Sequence, residues 1–150
     1  MEIDIVDASI RLLYELYEIE KQCFKIEAFS KQQIAYLLTG YNVISLAARV
    51  NGEIAGFIIG QIDIENNLPI GHILTIDVAP RHHRKGIAQQ LLREIEDIFK
   101  AKGIKECRLE VREDNAAALN LYLKAGYKKV AKLENYYPNA HGLCLVKNLF

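Results

Sequence analysis

Little in this sequence asks for an unusual environment. Its cysteines number three, Cys23, Cys107 and Cys144, and no two of them form a C-x-x-C pair. An odd count at wide spacing argues against a disulfide framework or a zinc knuckle and points to reduced thiols in a cytoplasmic protein. Neither charge is in surplus, because Lys+Arg and Asp+Glu both count 19. Bulk electrostatics therefore does not draw the chain to nucleic acid or to an anionic membrane. No apolar run approaches the roughly 20 residues of a membrane-spanning helix. The opening MEIDIVDASI has no basic region followed by an apolar one, so no signal peptide is expected. Linkers, repeats and low-complexity segments are lacking too. What is present, 150 residues at 51% hydrophobic and 25% charged, suits one domain over 1–150 with a single real core.

The hydrophobic periodicity gives the order β-α-α-β-β-β-α-β-α-β-β. Glu2 to Val6 alternates as a short strand. Leu12, Leu13, Leu16, Tyr17, Ile19, Glu20 and Phe24 form a helical stripe. Ser30-Lys31-Gln32-Gln33 has the form of a capping box and starts a second helix. VISLAARV and EIAGFIIGQI flank Asn51-Gly52 as a hairpin, and HILTIDV is the next strand. Gly86 to Lys102 reads as a long helix closed by Gly103, and Asp114-Asn115 opens a shorter one that stops at Gly126. KECRLEV, YKKVAKLEN and LCLVKNL supply the remaining strands. This is an α/β (α+β) domain with a mixed sheet.

The densest chemistry lies in VAPRHHRKGIAQQLL, Val78 to Leu92, where Arg81, His82, His83, Arg84 and Lys85 are consecutive. Adjacent histidines diverge and no cysteine or second histidine pair is near, so zinc is disfavoured and no metal is expected. No aromatic is interleaved with the basic run, which speaks against nucleic acid. The position between a strand end and a helix start matters more. The first turn of a helix carries free N–H groups and partial positive charge, and Gly86 and Ala88 keep the approach open. A phosphate or pyrophosphate fits this cradle, although a solvated basic loop fits the spacing equally well.

A second segment, LEVREDNAAALNLYLKAGY from Leu109 to Tyr127, puts Glu110 on a strand. Asn115, Ala118, Leu119 and Tyr122 follow i, i+3, i+4, i+7 and share one helical face. Together the two segments resemble the GNAT acetyltransferase superfamily. Its Q/R-x-x-G-x-G/A signature corresponds to His83-Arg84-Lys85-Gly86-Ile87-Ala88, with histidine at the first position. Its N-x-x-A-x-x-L-Y-x-x-x-G-F/Y signature corresponds to Asn115, Ala118, Leu121, Tyr122, Gly126 and Tyr127. LEVR, RHHRKGIA, GHI at 71–73 and NYYP at 135–138 are closest to the RimI-like and archaeal N-alpha-acetyltransferase branches. The acidic run usual after NYYP is replaced here by Asn139-Ala140-His141-Gly142-Leu143-Cys144.

The resemblance implies a single GNAT-type domain: a mostly antiparallel mixed sheet with a splayed strand pair and helices on both faces. It implies acetyl-CoA as cosubstrate. The backbone of Ile76, Asp77 and Val78 would pair with the pantetheine arm. The loop and helix start formed by Arg84, Lys85, Gly86, Ile87, Ala88 and Gln89 would hold the pyrophosphate, and Asn115 would contact the cofactor arm. Glu110 is the candidate base and Tyr122 the candidate acid, beside the thioester sulfur. His72 is a second base candidate, with Glu27 its partner across the substrate cleft. Phe29, Tyr136 and Tyr137 would wall the substrate entrance. The acceptor implied is a protein or peptide N-terminus, ribosomal proteins among the candidates, with a small-molecule amine as the alternative. A non-catalytic acyl-CoA-binding regulator is the alternative of another class. The oligomeric state is left open.

Overall fold

The computed structural model describes residues 2–150, and its elements follow the expected order. The strands are β1 (Ile3–Asp7), β2 (Val43–Val50), β3 (Glu53–Glu65), β4 (Leu68–Val78), β5 (Glu106–Arg112), β6 (Lys128–Tyr137) and β7 (Ala140–Asn148). The helices are α1 (Leu13–Cys23), α2 (Lys31–Leu38), α3 (Ile87–Ala101) and α4 (Ala116–Lys124). The capping box at the start of α2 is formed in both directions between Ser30 and Gln33.

One seven-stranded sheet runs β1-β2-β3-β4-β5-β7-β6. Every neighbouring pair is antiparallel except β4 and β5. Alternation along the central strands divides the core between two faces. Leu46, Ala48, Ile58 and Ile73 point to α3, whose Ile87, Leu91, Leu92, Ile95 and Phe99 form one apolar stripe. Ala47, Phe57 and Ile59 point the other way, to Leu16 and Ile19 of α1 and Ile34 of α2. Each such buried Leu, Ile or Phe contributes about 1.5–3 kcal/mol through the hydrophobic effect. Gly71 allows α3 to lie close on the sheet, since a Cβ there would stand 2.5 Å from the Phe99 ring.

The feature that creates the site is where β4 and β5 part. They pair only over Gly71–Ile73 and Cys107–Leu109. At the same level β4 carries a bulge: Ile59 pairs with Thr75 and Gly60 with Ile73, leaving Leu74 as the extra residue. A bulge bends its strand and increases the local twist. Beyond it the two strands diverge and their facing backbone edges are unpaired with each other.

Candidate active site

A cleft of about 960 Å³ opens at this divergence. Ile73 to Ile76 and Val78 of β4 line one side, Leu109 to Arg112 of β5 the other. The start of α3 closes one end, and the α1–α2 loop with the end of β6 borders the other. Of the residues singled out in the sequence, Glu27, Phe29, Ile76, Val78, Arg84, Gly86, Ile87, Ala88, Gln89, Glu110, Asn115, Tyr122, Tyr136 and Tyr137 all line this one cleft. His72, Asp77 and Lys85 do not.

At the α3 end the chain turns through two left-handed residues, Arg84 (φ 65°) and Gly86 (φ 78°). Gly86 is the N-cap of α3 and offers no side chain to the first-turn amides, and no acidic residue lies in that turn. A Cβ at Gly86 would meet nothing within 4 Å, so the concave side of the loop is open. Uncapped amides, a helix dipole and open space suit an anionic diphosphate such as that of CoA.

Four side chains of the basic run brace this loop. His82 is buried, and its Nε2 stands 3.0 Å from Glu53 Oε2. Lys85 Nζ stands 3.0 Å from His82 Nδ1, so the lysine is tied to the imidazole within the loop. Arg81 also binds Glu53. His83 Nε2 donates to the Val78 carbonyl at 2.9 Å, tying the loop to the end of β4. The two histidines are therefore the loop's struts, a role that their sequence neighbourhood did not reveal.

Asp77 differs from its neighbours Ile76 and Val78 because alternation turns its side chain to the opposite face. It is 1% exposed and stands beside Thr75 and Glu20. Burial, and then the adjacent Glu20, hold its carboxyl well above the usual carboxylate range. Oδ2 is buried without a partner. Glu20 in turn accepts from the Phe29 amide at 3.0 Å and from Thr75 Oγ1 at 3.2 Å, joining α1, the α1–α2 loop and β4. The only sequence trace of this linkage is a carboxylate inside an apolar helical stripe.

Glu110 lies on β5 at the point of divergence, half-buried. Its Oε1 is 2.7 Å from His72 Nε2, and His72 Nδ1 is 3.0 Å from Asp63 Oδ2. The hydrogen bond to Glu110, aided by Asp63 and opposed by partial burial, raises the His72 pKa above its ordinary value. Both His72 ring nitrogens are engaged by carboxylates, and the ring does not line the cleft. Nor does it meet Glu27, whose carboxylate instead pairs with Arg112 Nη1 at 3.7 Å. Arg112 is held by Asp114 and lies over the Tyr137 ring at 5.6 Å.

Tyr122 reaches the cleft from α4 and is 6% exposed. Burial, then the proximity of Asp77, pushes its phenol above the ordinary value, so it holds its proton at neutral pH. Its ring packs edge-on against Tyr127 at 5.9 Å. Asn115 caps α4 by accepting from the Ala118 amide at 3.1 Å, which leaves its own NH₂ available. Tyr136 and Tyr137, at the end of β6, form an edge-to-face pair with centroids 4.9 Å apart. His141 Nδ1 accepts from the Asn135 amide at 2.9 Å and fixes the irregular stretch of β6 that presents them.

The chain matches the acetyltransferase (GNAT) family over residues 12–127. It is similar to an N-alpha-acetyltransferase of Sulfurisphaera tokodaii, 31% identical over 121 residues that cover 73% of this chain and 71% of that protein. It is similar also to the [ribosomal protein bS18]-alanine N-acetyltransferase of Escherichia coli, 31% identical over 103 residues, 69% of this chain and 67% of that one. Among solved structures it resembles the PaiA N-acetyltransferase from Thermoplasma acidophilum in complex with coenzyme A, with a TM-score of 0.81 at 26% identity over 99% of each chain. With a split sheet, an open anion cradle and these relatives, the chain belongs to the GNAT family and is an acetyl-CoA-dependent N-acetyltransferase.

Proposed function

We propose that the acceptor is the N-terminal α-amine of a protein, with Glu110 as general base and Tyr122 as general acid. The observation that carries this reading is that Glu110 and Tyr122 line one cleft at the β4–β5 divergence, beside the α3 anion cradle. Bound acetyl-CoA supplies an activated acetyl thioester. Its diphosphate would rest on the amides that begin α3, its arm along Ile76 and Val78, with Asn115 beside it. The chain's own groups then manage two protons. Glu110, through the oxygen that His72 leaves free, takes one from the attacking amine. Tyr122 Oη gives one to the departing thiolate.

The acceptor assignment follows from the strength of this base. An α-amine with a pKa near 8 costs about 1.4 kcal/mol to present neutral at pH 7, whereas a lysine near 10.4 costs about 4.6 kcal/mol. A single carboxylate suffices for the first. The cleft also disfavours a polyamine, because the Glu27 and Glu110 carboxylates already bind Arg112 and His72. Tyr136, Tyr137 and Phe29 would wall the entrance. The relatives' names include a ribosomal protein as acceptor, and a ribosomal N-terminus is one candidate here. Free thiols at Cys23, Cys107 and Cys144 fit a cytoplasmic setting. The test is CoA release against peptides with a free N-terminus, the same peptides N-blocked with an internal lysine, and small amines. Turnover confined to small amines would overturn the assignment.

A further inference from the structure

Glu110 belongs to a chain of side chains that crosses three strands. Gln61 Nε2 donates to Asp63 Oδ1 at 2.9 Å. Asp63 Oδ2 meets His72 Nδ1 at 3.0 Å, and His72 Nε2 meets Glu110 Oε1 at 2.7 Å. Gln61 and His72 are register partners on β3 and β4, and β5 supplies Glu110. Asp63 is 34% exposed at the outer end, and only Glu110 at the inner end lines the cleft. Other charges nearby are already committed. Arg108, the register partner of His72, is held by Glu65 and Glu106. Cys144 lies opposite Glu110 on β7, with Tyr136 and Tyr137 beyond it, and these are protonated neutral groups at pH 7. Asp63 and Glu110 are therefore the two carboxylates on the imidazole nitrogens.

We propose that Asp63 is a positioning residue for the base: through His72 it fixes the Glu110 carboxylate with Oε1 bound into the sheet and Oε2 left for the amine. Which proton an imidazole carries, and which way the ring faces, is set by the partner on its other nitrogen. With Asp63 on Nδ1, the ring cannot flip without losing that contact, so Nε2 stays facing Glu110 Oε1. This inference rests on Glu110 acting as the base, and its test separates the two.

The experiment compares wild type with Asp63→Asn, Asp63→Ala, Asp63→Glu and Glu110→Gln, using whichever amine of the panel turns over fastest. The readouts are kcat, the KM for acetyl-CoA, the melting temperature and the NMR titration of the His72 imidazole. Removing the Asp63 charge should lower the His72 titration midpoint. It should lower kcat about tenfold while leaving the acetyl-CoA KM and the melting temperature near wild type. Asp63→Glu should retain more of kcat than Asp63→Ala. A shifted titration with unchanged kcat would make the array a surface ion network and overturn the inference, as would an unmoved titration. Full turnover in Glu110→Gln would instead overturn the assignment of the base, and the inference with it.

Discussion

Glu110 and Tyr122 are asked for opposite proton transfers, and their surroundings differ accordingly. Glu110 is half-buried, with one carboxylate oxygen 2.7 Å from His72 Nε2, at the edge of the cleft. Tyr122 is enclosed by apolar side chains that favour its neutral form. Glu110→Gln and Tyr122→Phe should each lower kcat by about two orders of magnitude or more, with the KM for acetyl-CoA near wild type in steady-state assays. Asp77 gives a separate prediction, about stability. Its folded-state pKa lies above the unfolded value of about 3.9, so the folded chain holds a proton that the unfolded chain releases. Stability therefore falls as pH rises from the unfolded value to the folded one. Asp77→Asn keeps a side chain able to donate and removes that loss. Melting temperatures measured from about pH 4 to about pH 8 should fall less with pH in the variant than in wild type.

At the scale of elements, the local signals and the long-range ones had different fates. The capping box at Ser30–Gln33, the Gly103 stop and the Asn115 cap were legible because each is decided within a few residues. The Asn66-Asn67 turn was not. Both asparagines are left-handed (φ 52° and 63°) and join β3 to β4 three to four residues beyond the strand ends legible in sequence. Pro69 in LPIGHI disguised the start of β4. Asn67→Gly should raise the melting temperature, since glycine adopts that conformation without steric cost, for a gain of a few tenths of a kcal/mol or about 1 kcal/mol at most. The loop before α3 shows the converse. Its amides and Gly86 were legible, while the work of His82, His83 and Lys85 depends on Glu53 and Val78, distant in sequence or on the strand end. Gly86→Ala places a Cβ in open space at φ 78°, so strain rather than clash decides its effect. The cost of about 1–2 kcal/mol in that backbone state should appear as a several-fold rise in the acetyl-CoA KM, with kcat changed less.

The whole molecule works as a sheet that is closed at one end and open at the other. Three residue pairs hold β4 to β5, and the bulge at Leu74 begins the gap. That gap brings together groups from elements far apart in sequence: Phe29 and Glu27 after α1, Glu110 on β5, Tyr122 on α4, Tyr136 and Tyr137 on β6. The motif residues on each side of the gap were recognisable in the sequence, and their meeting was implied only by family resemblance. The Glu20–Thr75–Asp77 group and the Asp63–His72–Glu110 array were not legible, because each spans elements whose register no local pattern encodes. The central claim is that this cleft serves an α-amine. The most direct measurement is intramolecular competition: one peptide carrying both a free N-terminus and an internal lysine, incubated with acetyl-CoA and the enzyme near pH 7. Mass-spectrometric sequencing then locates the acetyl group. The account predicts acetylation at the N-terminal nitrogen with the lysine unmodified; acetyl on the lysine side chain with the N-terminus left free would contradict it.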